Sequence, residues 1–140
     1  MKKKRIEFLK KDYCQGFPAF LGFKVKRIES GIFESQVFVR SELKQQDGFV
    51  HAGVIATLAD HTAGYSAYTV VPENVRILTI EFKINYFKPS IGTIIICRSK
   101  VLNNGKKIIV AESEIFDVKD GNEQLVSKAI VTLAAILQGK

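Results

Sequence analysis

The chain has no tryptophan, one methionine, two cysteines, two histidines and three prolines in its 140 residues. Each shortage closes off a kind of chemistry. Cys14 and Cys97 lie far apart and neither belongs to a Cys-x-x-Cys pair. A disulfide framework and a zinc ribbon are therefore excluded, and free reduced thiols in a cytoplasmic protein are expected. His51 and His61, with no cysteine beside them, do not make a metal site. No cofactor is expected. No apolar run approaches the ~20 residues that a bilayer span requires. The basic N-terminus lacks the apolar stretch of a secretory signal, so no membrane partner is expected either. A 46% hydrophobic content over this length is enough for one domain with a real core.

The net charge of +7 raises the question of nucleic acid. Residues 1–11 carry six basic side chains against Glu7, which is +5 of that total and leaves +2 for residues 12–140. The body of the chain has no basic strip interleaved with stacking aromatics, which argues against a nucleic-acid partner. Within the lead segment Ile6, Leu9 and Tyr13 recur at helical spacing behind the basic face. Residues 1–15 thus read as a basic helical extension and 16–140 as the domain. Its lysines either stay solvated or meet an anion such as a phosphate-bearing ligand. Gly16, Pro18 and Gly22 are expected to break the helix.

What is present is strand signal around one long helix. Phe23–Glu29 and Ile32–Arg40 flank Ser30-Gly31 and predict a hairpin. A polar loop, Ser41–Gly48, then leads into a helix over Ala52–Tyr68, which must stop before Pro72. Inside it Asp60 shares a face with Gly53, Thr57, Gly64 and Ala67, a side nearly bare of bulk. The neighbouring face, with Val54, Leu58, His61, Tyr65 and Tyr68, reads as core filling. A carboxylate there is costly unless paired or used.

Beyond the helix, Thr79–Tyr86 alternates with period two, placing Ile80, Phe82, Ile84 and Tyr86 on one face and Thr79, Glu81, Lys83 and Asn85 on the other. Strands over Thr93–Leu102, Lys107–Val118 and Gln124–Leu137 follow, separated by Asn103-Asn104-Gly105-Lys106 and Asp120-Gly121. The C-terminal half of the last one also fits a helix by periodicity. The expected order is two strands, one helix and a four-stranded meander: an α+β chain whose antiparallel sheet curls around the helix. Unpaired rim strands predict oligomerisation. Cys97 alternates with Thr93, Ile95 and Ser99 and reads as a buried thiol without an activating histidine.

Three stretches together carry a resemblance: Gln45 with Gly48-Phe49-Val50-His51-Ala52-Gly53, then Leu58-Ala59-Asp60, then Thr79-Ile80-Glu81-Phe82-Lys83-Ile84-Asn85-Tyr86-Phe87-Lys88-Pro89. The chain resembles the hotdog-fold acyl-CoA thioesterases of the phenylacetic-acid-degradation type over about residues 17–137. The resemblance implies an acyl-CoA thioesterase acting on an acyl- or aryl-CoA. It implies Asp60 as general base or nucleophile and Gln45 as the amide holding water or the acyl group. It places His51 near the thioester carbonyl and the Ala52 N–H on the oxyanion. Gly53, Thr79, Asn85 and Lys88 are carried as substrate-binding residues, Asn85 and Lys88 toward the CoA phosphates. It further implies a homo-oligomer, a dimer or a homotetramer built as a dimer of dimers, with each site shared between subunits.

Two departures stand out. His-Ala-Gly replaces the family's usual His-Gly-Gly, which leaves open a catalytically poor acyl-CoA-binding or regulatory protein. Gly64 stands where many relatives have Ser or Thr one turn past the acid, with Thr79 the next candidate for that role. The spacing supports the shared site independently. At about 1.5 Å of rise per residue, Asp60 lies about 12 Å from the helix start, too far for one helix to bring both groups to one carbonyl.

Overall fold

The structure, a computed structural model, describes residues 1–139. The lead segment is a helix, α1 (Lys3–Tyr13), which buries Leu9 and Tyr13. Gly16 and Pro18 do not simply end it. They open a second, six-residue helix, α2 (Gly16–Leu21). A proline is tolerated in a first turn because its missing N–H would have had no partner there. Gly22, at φ +89°, closes α2 in the left-handed conformation that glycine adopts without penalty.

Strands β1 (Lys24–Glu29) and β2 (Ile32–Phe38) form the expected hairpin. The polar loop follows, and then helix α3 (Ala52–Tyr68), with the bounds that its sequence predicts. Four strands complete the chain: β3 (Val75–Tyr86), β4 (Ile94–Asn104), β5 (Ile108–Lys119) and β6 (Asn122–Leu137). They make one antiparallel six-stranded sheet in the order β1-β2-β4-β5-β6-β3, which packs against α3.

The α+β arrangement is as expected, but the meander is not continuous. β3 pairs with β6 rather than β4. Alternation marks a strand without naming its neighbour, and the sixteen residues of β6 are long enough to pair β3 on one side and β5 on the other. For the same reason the C-terminal half of β6 is strand throughout: Ala134 and Ala135 lie opposite Leu78 and Ile77.

The faces of α3 differ from expectation in part: Leu58 is fully buried as expected, and Val54, Tyr65 and Tyr68 pack against the core. The helix's buried positions are Ile55, Leu58, Ala59, Thr62, Ala63, Ser66 and Ala67, mostly small residues. Small side chains let a curved sheet come close, and the close approach is bridged by hydroxyls. The Ser113 hydroxyl donates to the Ala59 carbonyl at 2.6 Å. Thr62 Oγ1 lies 2.8 Å from Ser35 Oγ and 2.9 Å from the Tyr13 hydroxyl. The heavier His61, Tyr65 and Tyr68 are only half-buried and pack on one another and on Tyr13.

One irregularity decides a site residue. The β3–β6 register slips between Thr79 and Glu81, so one residue bulges out of the ladder. Ile80 is left exposed, while Thr79 turns toward the helix like Phe82 and Ile84 further along. Uninterrupted alternation had put Thr79 on the opposite face from Phe82. The bulge cancels that.

Candidate active site

The loop before α3 is built around Gln45. Its N–H donates to the Phe49 carbonyl at 2.8 Å, and its side-chain Oε1 accepts from the N–H groups of Asp47 (2.6 Å) and Phe49 (3.2 Å). Gly48 makes the reversal possible at φ +88°. Both lone-pair directions of Oε1 are taken by backbone, so the side chain has only its NH₂ left to offer.

The loop delivers His51 as the N-cap of α3. The His51 N–H donates to the Leu43 carbonyl at 2.8 Å, and Nδ1 accepts from the Gly53 N–H at 2.8 Å. An accepting Nδ1 puts the ring proton on Nε2. Gly53 is required by this cap, because a Cβ there would stand 2.9 Å from Nδ1. Among the described residues the Ala52 N–H has no acceptor. It is thus an uncommitted donor at the positive end of the helix dipole. The Tyr86 hydroxyl donates to the Ala52 carbonyl at 3.0 Å and ties the end of β3 to the helix start. Gln45, Gln46, His51, Ala52, Tyr86 and Lys88 line a cavity of about 470 Å³.

Asp60 faces a different space. It lines a cavity of about 340 Å³ with Phe17, Gly64, Tyr65, Tyr68 and Thr79 among its neighbours. The Thr79 hydroxyl donates to Asp60 Oδ1 at 2.7 Å, leaving Oδ2 without a side-chain donor among the described residues. Thr57, one turn before the acid, turns its hydroxyl back to the Gly53 carbonyl at 2.7 Å. The aromatic walls are fixed by hydrogen bonds. The Tyr65 hydroxyl donates to Asp12 Oδ2 at 2.7 Å, and burial together with that carboxylate pushes its pKa well above the usual phenol value. The Ile77 N–H donates to the Tyr68 hydroxyl at 3.2 Å. His61 donates from Nε2 to the Tyr13 carbonyl at 2.9 Å, and burial lowers its pKa, so it is a neutral ring held by α1.

The two cavities have no lining residue in common. Within one chain, Gln45, His51, Ala52 and Lys88 come together, and so do Asp60 and Thr79. The two groups stay apart. Gly53 serves the cap, and Asn85, exposed on β3 opposite Lys128, lines neither cavity. Cys97 is fully buried beside Ser99, and burial raises its thiol pKa, as befits an inert thiol. Sequence reasoning missed Tyr86 as the clasp on Ala52 and missed Phe17 and Ile77 as walls of the acid's cavity. Tyr86 was visible in the Asn-Tyr-x-x-Pro strand end, but nothing in sequence spacing signals that Phe17 shares a cavity with residues 40 or more positions away.

One long helix packed against a six-stranded antiparallel sheet is the hotdog arrangement, and known proteins agree. The model of the thioesterase superfamily matches residues 47–123. A Saccharolobus solfataricus protein named "Putative esterase" is 34% identical over 127 residues, covering 91% of this chain and 87% of that protein. The 1,4-dihydroxy-2-naphthoyl-CoA hydrolase of Listeria monocytogenes is 24% identical over 73% of this chain and 83% of its own length. The crystal structure of a thioesterase family protein from Silicibacter pomeroyi superposes with a TM-score of 0.92 at 29% identity, covering 95% of this chain and 98% of that one. The chain belongs to the thioesterase superfamily.

Proposed function

We propose that the protein hydrolyses acyl-CoA thioesters to the free acid and CoA, as a homo-oligomer in which each site takes its acid from one subunit and its oxyanion donors from another. Within the superfamily we assign it to the phenylacetic-acid-degradation type, on the residues quoted above. The observation that carries the reading is the division of the chain into two cavities. Acyl transfer would use the carboxylate of Asp60 and the uncommitted Ala52 N–H, yet the two residues line separate spaces. A second copy that sets its helix-start corner against this Asp60 completes a site that one chain leaves in halves.

In that site the thioester carbonyl oxygen sits on the Ala52 N–H of one subunit, with the Gln45 NH₂ and His51 Nε2–H at hand as further donors. Water is deprotonated by Asp60 of the other subunit and adds to the carbonyl carbon. The C–S bond then breaks, and the proton held by Asp60 passes to the departing CoA sulfur. Direct attack by Asp60 would instead form an acyl–Asp60 anhydride that water then cleaves. Thr79 holds Oδ1 in either case. Lys88, which lines the corner cavity, would meet the nucleotide phosphates in this reading.

Replacement of Gly by Ala in His-Ala-Gly does not weaken the reading. Asp120 is the sole described non-glycine residue at positive φ, so Ala52 carries no backbone strain and keeps its N–H. The test is CoA thiol release across a series of acyl-CoAs, with Asp60→Asn as control. We expect turnover on part of the series and a loss on the order of 10²–10⁴ in kcat for the variant, the range for a positioned acid or base. Tight binding without turnover on any acyl-CoA would instead make the protein a non-catalytic acyl-CoA binder.

A further inference from the structure

Gly64 has no reason in the fold to be glycine. It lies inside α3, one turn beyond Asp60, and its φ is not positive. A Cβ built on it meets nothing within 4 Å, whereas one on Gly53 would crowd the His51 ring and one on Gly92 would strike the Val118 carbonyl. Glycine in a helix interior is markedly less favourable than alanine. The chain therefore accepts a weaker helix to keep a space empty. That space belongs to the acid's cavity, where Gly64 lies among Phe17, Tyr65, Tyr68 and Ile77.

We infer that Gly64 is a specificity-determining residue: it forms the floor of the acyl subsite and admits an acyl group with a bulky apolar body. With the reacting carbonyl at Asp60, the group runs along the helix past Gly64 toward Tyr68. A residue four positions on is about 6 Å further along the axis and one eight positions on about 12 Å, which is the length of a medium chain or a ring rather than an acetyl group. Phe17, on the short helix α2, is 59% exposed and lines the same cavity. Tyr65 and Tyr68 are fixed by Asp12 and by the Ile77 N–H, so the walls do not fold inward to fill the gap.

This inference rests on the site proposed above, and its test is separable from it. Dissociation constants for intact acetyl-CoA and hexanoyl-CoA are measured by calorimetry on the full-length Asp60→Asn protein, with and without Gly64→Leu. We expect hexanoyl-CoA to bind more tightly than acetyl-CoA at Gly64. Gly64→Leu should weaken hexanoyl-CoA at least tenfold and leave acetyl-CoA within about twofold. Gly64→Ala, the milder change, should raise Tm while it lowers hexanoyl-CoA affinity, which separates loss of space from loss of folding. Equal weakening of both esters, no weakening of either, or failure of either ester to bind would overturn the inference. Absence of turnover in the wild-type protein with the expected affinities would overturn the hydrolytic reading and leave the subsite standing.

Discussion

The orientation of Gln45 follows from what it accepts. Two backbone N–H groups point at its side-chain oxygen, and only the oxygen of the amide can take them. What remains for substrate is a donor, which can hold a carbonyl oxygen or the oxygen of a water but cannot take a proton. Gln45→Glu tests this, since a carboxylate still accepts both loop N–H groups and now presents an acceptor. We expect an unchanged Tm and a kcat lower by about 10²–10³, the usual cost of losing one oxyanion donor; retained activity would mean that an acceptor is what the site needs. Thr79→Val removes the single side-chain donor on Asp60. Its expected effect is a fall in kcat of about ten- to a hundredfold with little change in KM, because one hydrogen bond to a charged group contributes about 1.5–3 kcal/mol. Both residues can be read in the sequence as polar positions in a recognisable pattern. What Gln45 can donate, and that Thr79 reaches Asp60 at all, cannot.

At the scale of elements, α3 and α1 are joined by polar contacts as well as by the packing of Tyr13 on His61 and Tyr65. Thr62 Oγ1 bridges the Tyr13 hydroxyl and Ser35, all three fully buried. Thr62→Val keeps the shape and strips the bridge, leaving two buried hydroxyls short of a partner. Denaturant unfolding should show a loss of about 2 kcal/mol. His61 adds a pH dependence. Burial holds its pKa below the ordinary value of about 6.5, so near and below that pH the unfolded chain binds a proton that the folded one refuses. Stability contributed by the neutral ring is therefore complete above about pH 6.5 and declines as pH falls toward the depressed value. Between pH 7.5 and 5.5, Tm should fall more in the wild-type protein than in His61→Gln; parallel curves would show that His61 is not the group responsible. The bounds of α3, the β1–β2 and β5–β6 hairpins and their turns at Gly31 and Gly121 were legible, because turn residues and periodicity are local. The faces of α3 were legible only in part. Leu58 is buried as its heaviness suggests, with Val54, Tyr65 and Tyr68 packed beside the core, but a helix wrapped by a sheet also buries small residues such as Ala59, Ala63 and Ser66, which size alone does not mark.

For the whole molecule the decisive prediction is complementation. Asp60→Asn and Gln45→Glu each disable a different half of the proposed site. Mixed in equal amounts and allowed to exchange subunits, they should form hybrids with one intact site. For dimers that restores roughly a quarter of wild-type activity by chance pairing. No recovery, with exchange shown by mass spectrometry, would place both halves of a site in one chain. By itself the sequence determined α1, α3, the six strands, the wrapped α+β class and the family resemblance, because propensity, alternation and short motifs act over a few residues; α2 and the strand state of the second half of β6 it left undecided. Tertiary structure alone decided that β3 lies against β6, that a bulge swings Thr79 onto Asp60, that α2 reaches over the acid, and that the acid and the donors open into separate cavities. Those outcomes depend on which distant segments meet, and the geometry of contact is not written in spacing along the chain.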